Sequence, residues 1–214
     1  KISDLEKFWT IDNLKKIMNQ SFIYKTSIFQ TRPKYSNEGK KEILQTFFEN
    51  RKIGQSLKPV VVTAYDLEAR KPILLSSYGD PEVTAVNAAN ASSAAPIYFP
   101  TASMEDGRWL IDGGIATNNP SLLGYVEAKK IFSSNKIKVL GIGAGLNKRK
   151  ISGKTSRNWG ALGGFRHDIL GIMLESSLQN EILKDLIGDD YLRVNSSIGN
   201  VNRRMDDMSE KNLE

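Results

Sequence analysis

The chain has no cysteine and a single histidine among its 214 residues. The first lack excludes disulfides, thiolate zinc sites and a cysteine nucleophile. The second excludes a multi-histidine metal centre, and a Ser-His-Asp triad would have to be built on His167 alone. That residue stands in Phe165-Arg166-His167-Asp168-Ile169, near the start of a predicted helix, and reads as a surface or helix-start histidine. No apolar stretch reaches the ~18 residues that a bilayer span needs, and the amino end has no signal-peptide pattern. A globular protein is expected, cytoplasmic or secreted, touching membranes at their periphery if at all. The first residue is Lys1, not Met, so the expectation is a chain that begins partway through a longer one. The most consequential lack is G-x-S-x-G, the usual sign of a serine raised on a strained strand-to-helix turn. Two glycine pairs have that spacing, Gly141 with Gly145 and Gly160 with Gly164, but their central residues are Gly143 and Leu162. Ser76, Ser77, Ser92 and Ser93 lie on no glycine-flanked turn and read as structural.

What is present is ordinary for a globular domain: 25% charged and 40% apolar residues, enough for one core, with 1–214 expected to be a single domain. The net charge of +6 favours anionic partners. Its densest run is Lys148-Arg149-Lys150, followed by Lys154 and Arg157 in a polar loop. That run is either solvated loop charge or a contact with an anionic membrane surface, worth about 1 kcal/mol per basic residue. Nucleic acid is not expected, because no aromatic residues interleave with the run and no nucleic-acid-binding motif occurs.

Helices are predicted over 12–20 and 36–50, the second capped by Ser36 and striped by Ile43, Leu44, Phe47 and Phe48. Val60 to Tyr65 reads as a strand apolar on both faces, and Pro72 to Ser77 as a neighbour. Asp80-Pro81-Glu82 reads as the start of a helix rich in small residues, with Asp80 as its cap, and that helix must end before Pro96. A strand over 109–112, a helix from Asn119-Pro120 to about Phe132, a strand over 136–141, a long helix over 162–187 and a strand over 191–194 complete the pattern. Ala144 to Gly160 is a candidate surface loop or lid. Alternating strands and helices argue for an α/β fold with a mostly parallel central sheet flanked by helices.

Within that pattern, Asp112-Gly113-Gly114 puts a carboxylate at the tip of the strand Trp109-Leu110-Ile111. Two glycines there allow a positive φ and let another backbone approach closely. Ile115-Ala116-Thr117-Asn118-Asn119-Pro120 follows, with Asn119 read as the cap of the next helix and Asn118 as an Asx residue bracing the turn. Asp-Gly-Gly-Ile-Ala-Thr-Asn-Asn-Pro resembles the second signature of the patatin-like phospholipases. Further blocks agree in family order: Arg32-Pro33-Lys34-Tyr35-Ser36, Pro59 to Asp66, Ala91 to Pro100, Val139 to Gly145 and Met205 to Asn212.

The resemblance implies a three-layer α/β lipid acyl hydrolase that uses a Ser-Asp dyad with no histidine, no metal and no cofactor. Its substrates would be phospholipids or other acyl esters. It implies Asp112 as the catalytic base, with Gly113, Gly114, Asn118 and Asn119 supporting the turn. The family's glycine-rich oxyanion segment and serine elbow have no match here. The expectation is therefore the carboxyl-terminal portion of such a domain, inactive alone, with those two segments upstream.

Three other readings compete. A phosphate loop ending at Gly153-Lys154-Thr155 would need glycine where Lys148 stands, and a dinucleotide fingerprint from Gly141 would need it at Leu146. A binding module that has lost its nucleophile would have no chemical need for Asp112 and its turn. An acyltransferase would use the same dyad with a different acceptor.

Overall fold

The computed structural model describes residues 6–20, 32–133, 136–145, 154, 178–198 and 206–209. The chain divides into two compact units, residues 1–116 and 117–214.

The first unit opens with helices α1 (Ile11–Ile17) and α2 (Glu38–Phe48). Thr10 begins α1 by accepting the Asn13 N–H on its hydroxyl at 3.2 Å, one of the donors a helix start leaves unpaired. On α2 the buried stripe is Lys40, Ile43 and Leu44. The expected Ser36 cap does not form. Asn37 holds that position without a side-chain bond, and the Ser36 hydroxyl is buried with no partner among the described residues. The Ser36 backbone is drawn to the end of α1 instead, donating its N–H to Asn19 O at 3.1 Å.

Four strands follow: β1 (Val61–Asp66), β2 (Lys71–Ser76), β3 (Ala102–Ser103) and β4 (Trp109–Asp112), with helix α3 (Ala85–Ser92) between β2 and β3. They form one sheet in the order β2-β1-β4-β3, and every pairing in it is antiparallel. The α/β class holds, but this sheet is not the mostly parallel one expected. For β1 and β2 the reason is their connection. Residues 67–70 are too few for a crossover helix, so the chain can only double back. Asp66 closes the turn by accepting the N–H groups of Glu68 and Ala69 at 3.0 and 2.9 Å, and Arg70 completes it at φ 53°.

Helix α3 starts later than predicted, at Ala85 behind Thr84, whose hydroxyl accepts the Asn87 N–H at 3.2 Å. Asp80, expected as the cap, instead closes the end of β2 by accepting the Ser76 N–H at 3.1 Å, and it pairs with Arg108 at 3.5 Å. The helix ends at Ser92, ahead of Pro96 as expected. Its alanines Ala88 and Ala91 form the core with Ala64, Leu75, Ala102, Met104 and Leu110. Such small side chains let the helix lie close on β1, β3 and β4 while it also packs on α2.

A short helix, α4 (Gly114–Thr117), leads out of β4. The second unit contains α5 (Ser121–Ile131), β5 (Val139–Ile142), α6 (Leu178–Ile187) and β6 (Tyr191–Val194). Here β5 and β6 are parallel, pairing Val139 with Tyr191 through Ile142 with Val194. Residues 162–177 of the predicted long helix, Lys148–Lys150, Arg157 and His167 lie outside the described residues. No helix among the described residues is long and apolar enough to cross a membrane.

Leu110 is fully buried beneath α3. Leu110→Ala should destabilise the protein by about 2–5 kcal/mol through lost contacts and the cavity left behind. The check is a lower denaturant midpoint at unchanged slope; an unmoved midpoint would refute this account of the core.

Candidate active site

Asp112 is the last residue of β4, opposite Ala64 of β1. It is half-buried. Its N–H donates to Ala94 O at 3.1 Å, tying the strand end to the segment just after α3. Its carboxylate Oδ1 accepts the Gly114 N–H at 2.7 Å. A carboxylate holding a main-chain N–H two residues on forms a tight Asx turn, which here carries the chain into α4.

Gly113 is required for a steric reason and not for a conformational one. Neither Gly113 nor Gly114 has a positive φ, contrary to one of the two expectations. The other is met. A Cβ at position 113 would lie 2.4 Å from the carbonyl carbon of Thr63 and 2.5 Å from its oxygen. The backbones of β1 and β4 touch where any side chain would force them apart.

The residue that sequence reasoning missed is Lys40. It is buried to 4% exposure, and its ammonium donates to Ser93 O at 3.0 Å and Asn90 O at 3.4 Å. It also stands 4.1 Å from the centre of the Phe99 ring, within cation–π range. Phe99 is held by a short cross-link between two distant stretches, in which Lys34 N donates to Ile97 O at 2.9 Å and Tyr35 N to Tyr98 O at 2.8 Å. Ile97 takes φ 75° there. That is a strained conformation for a β-branched residue, of the kind that gathers at functional sites.

Burial pushes the Asp112 carboxyl above its ordinary range, opposed by the Gly114 hydrogen bond and by the charge of Lys40. Burial also lowers Lys40, to about 8, with Asp112 acting to raise it and Lys41 to lower it further. Desolvation penalises the charged form of both groups, and each supports the charged form of the other. Chemically, the arrangement offers a desolvated carboxylate with one oxygen fixed, suited to accepting a proton.

Asn118 and Asn119 belong to the second unit. Asn118 is exposed in the bend before α5. Asn119 is buried, and its carboxamide oxygen accepts from the Ser121 N–H at 3.2 Å, the Ser121 hydroxyl at 2.7 Å and Arg193 at 3.3 Å. Pro120 holds the cap position of α5, so Asn119 acts one residue earlier, as an Asx turn at the helix entry. It also ties that entry to β6. Ser76, Ser77 and Ser93 make main-chain bonds, with Gly79 N, Val60 N and Ala89 O.

A sequence model of the patatin-like phospholipases matches residues 1–123, which include every residue from Lys40 to Gly114 described above. The chain belongs to that family. It is 31% identical to Patatin-like protein 1 of Arabidopsis thaliana over 85% of this chain and 54% of that protein. It is 29% identical to the cGAMP-activated phospholipase of Pseudomonas aeruginosa over 78% of this chain and 53% of that protein. It is 26% identical to Patatin-04/09 of Solanum tuberosum over 90% of this chain and 59% of that protein. The chain thus spans about half the length of the curated relatives it matches, and the patatin-like segment it carries includes the Asp-Gly-Gly turn.

Two outcomes test this geometry. Gly113→Ala should destabilise the protein by about 1–3 kcal/mol, the usual cost of overpacking a closed site, against a few tenths for an unconfined turn. A change no larger than that would mean β1 and β4 can part freely. Asp112→Asn should raise the melting temperature at neutral pH. With its proton affinity raised by folding, the ionised Asp112 opposes folding above its folded pKa and does not below the unfolded carboxyl value of about 3.9. The gain should therefore vanish as pH falls below that value, and a neutral-pH loss of stability would contradict the direction given.

Proposed function

We propose that this patatin-like chain supplies the general base of a lipid acyl hydrolase that works by a Ser-Asp dyad, with Asp112 as the base. The observation that carries the reading is the half-buried Asp112 carboxylate, held by Gly114 at a strand end where Gly113 lies bare against Thr63. The serine nucleophile and the oxyanion donors belong to a segment outside this chain. Residues 1–214 form the carboxyl-terminal portion of one such domain.

In this scheme the serine hydroxyl attacks the ester carbonyl while its proton passes to Asp112, and the oxyanion is held by main-chain donors of the partner segment. Collapse of the tetrahedral species breaks the ester bond, and the leaving alcohol takes the proton back from Asp112. Water then attacks the acyl-serine, with Asp112 again accepting and returning one proton as the fatty acid leaves. An aspartate of pKa about 3.9 in water is a weak base for an alcohol. The desolvation that raises Asp112 improves the match. The substrate is a phospholipid or other acyl ester, and the net charge of +6 supports contact with an anionic lipid surface.

The test is fatty-acid release from phosphatidylcholine vesicles and a short acyl ester by the full-length protein. Asp112→Asn should lower turnover by about 10²–10⁴-fold, the usual weight of general acid–base catalysis, with the fold retained. Turnover close to that of the unaltered protein would overturn the assignment of Asp112.

A further inference from the structure

Lys40 is the strongest feature that the proposed dyad does not use. A buried ammonium is costly unless its hydrogen bonds are made and its charge is compensated. Here the compensation comes from three sources. The Asn90 and Ser93 carbonyls belong to the carboxyl end of α3, where helical carbonyls lack partners and the helix dipole is negative. The Phe99 ring supplies a π face at 4.1 Å. The third source is the Asp112 carboxylate.

The same short segment connects them mechanically. Lys40 holds the carbonyls of residues 90 and 93, and the next carbonyl, Ala94 O, takes the Asp112 N–H. Displacing the ammonium would release the end of α3 and, through Ala94, the strand tip that carries the carboxylate. The charges acting on Lys40 are those of Asp112 on β4 and Lys41 on its own helix. Helix α3 has no ionisable side chain, and from α1 Lys16 pairs with Glu42 on the exposed side of α2.

We propose that Lys40 is a positioning residue for Asp112, which it holds through the end of α3 and whose ionised form its positive charge supports. The inference rests on Asp112 being the base of the proposed dyad, but the coupling of the two side chains can be read without any reaction. A base inside a protein must be stripped of water to be strong, yet stay ionised to accept a proton. An internal cation reconciles the two demands because it replaces part of the lost hydration with a charge that need not reorganise. Its own value, about 8, leaves it mainly protonated at neutral pH.

The coupling is reciprocal. In the full-length protein with ¹³Cε-labelled lysine, assigned by the resonance that disappears in Lys40→Arg, Lys40 should titrate near 8 and at lower pH in Asp112→Asn. An unchanged titration would overturn the inference whether or not the protein hydrolyses lipid. In the active protein, Lys40→Met should move the acid limb of kcat/KM to higher pH and lower kcat more than it changes KM. Lys40→Arg, which keeps the charge, should restore much of both. Should Lys40→Met leave the acid limb in place while Asp112→Asn abolishes turnover, Lys40 has no such role and the dyad stands. Should Asp112→Asn leave turnover intact while the titration shifts, the pair is coupled and the dyad reading is the one that fails. If Lys40→Met does not fold, the comparison of unaltered protein with Asp112→Asn decides alone.

Discussion

The contact on which the rest depends is that between Gly113 and the main chain of Thr63, where an added Cβ would sit 2.4 Å from a carbonyl carbon. Because that contact is bare, β4 stays paired with β1 to its last residue, and Asp112 lies opposite Ala64. A strand that frayed one residue earlier would let the carboxylate swing toward water. Held in register, it is half-buried, and the turn that follows brings the Gly114 N–H within 2.7 Å of it. One missing methyl group thus determines how much water the carboxylate keeps and which donor replaces the rest.

Burial alone would make Asp112 a neutral acid at higher pH and so a poorer holder of charge. The protein opposes that tendency with the Gly114 hydrogen bond and the charge of Lys40, and the balance leaves the carboxyl raised. Lys40 is under the reverse strain, lowered by the same desolvation and supported by the same partner. Neither residue is at ease in its site, and perturbed groups of this kind cluster at functional sites. The small residues of α3 fit the same scheme. Ala88 and Ala91 bring the helix close to the sheet, and that closeness lets the carbonyls at and just past its end reach Lys40 on one side and the Asp112 N–H on the other.

Much of this was legible in the sequence because it is local. The strands over 109–112 and 191–194 fall where the apolar runs put them, and α3 stops ahead of Pro96 for the reason given by proline sterics. The close approach at Gly113 follows from glycine itself. What was misread is what depends on distant partners. Asp80 has the chemistry of a helix cap, but Ser76 N and Arg108 claim it first. Alternating strands and helices suggested a mostly parallel sheet, yet the four residues after Asp66 force a hairpin. Lys40 left a trace that passed unused: it lies three and four residues before Ile43 and Leu44, a charged residue on the apolar stripe of an amphipathic helix. A lysine in a core position asks what compensates it, and Asp112 is 72 positions further along the chain.

The site also explains why several separated sequence blocks accompany the Asp-Gly-Gly turn. Those that precede it supply parts that the turn cannot provide for itself. The Lys34-Tyr35 main chain pins Ile97 and Tyr98, and thereby places the Phe99 ring beneath Lys40. Helix α2 brings the ammonium, β1 brings the Thr63 backbone, and the end of α3 brings the carbonyls that tie the ammonium to the Asp112 main chain. An isolated Asp-Gly-Gly would fold as a plain turn with a solvated carboxylate of ordinary acidity. The turn acquires a half-buried, compensated carboxylate only when several other stretches of chain arrive at the same place. Their shared order along the sequence is therefore better evidence for this environment than the tripeptide is.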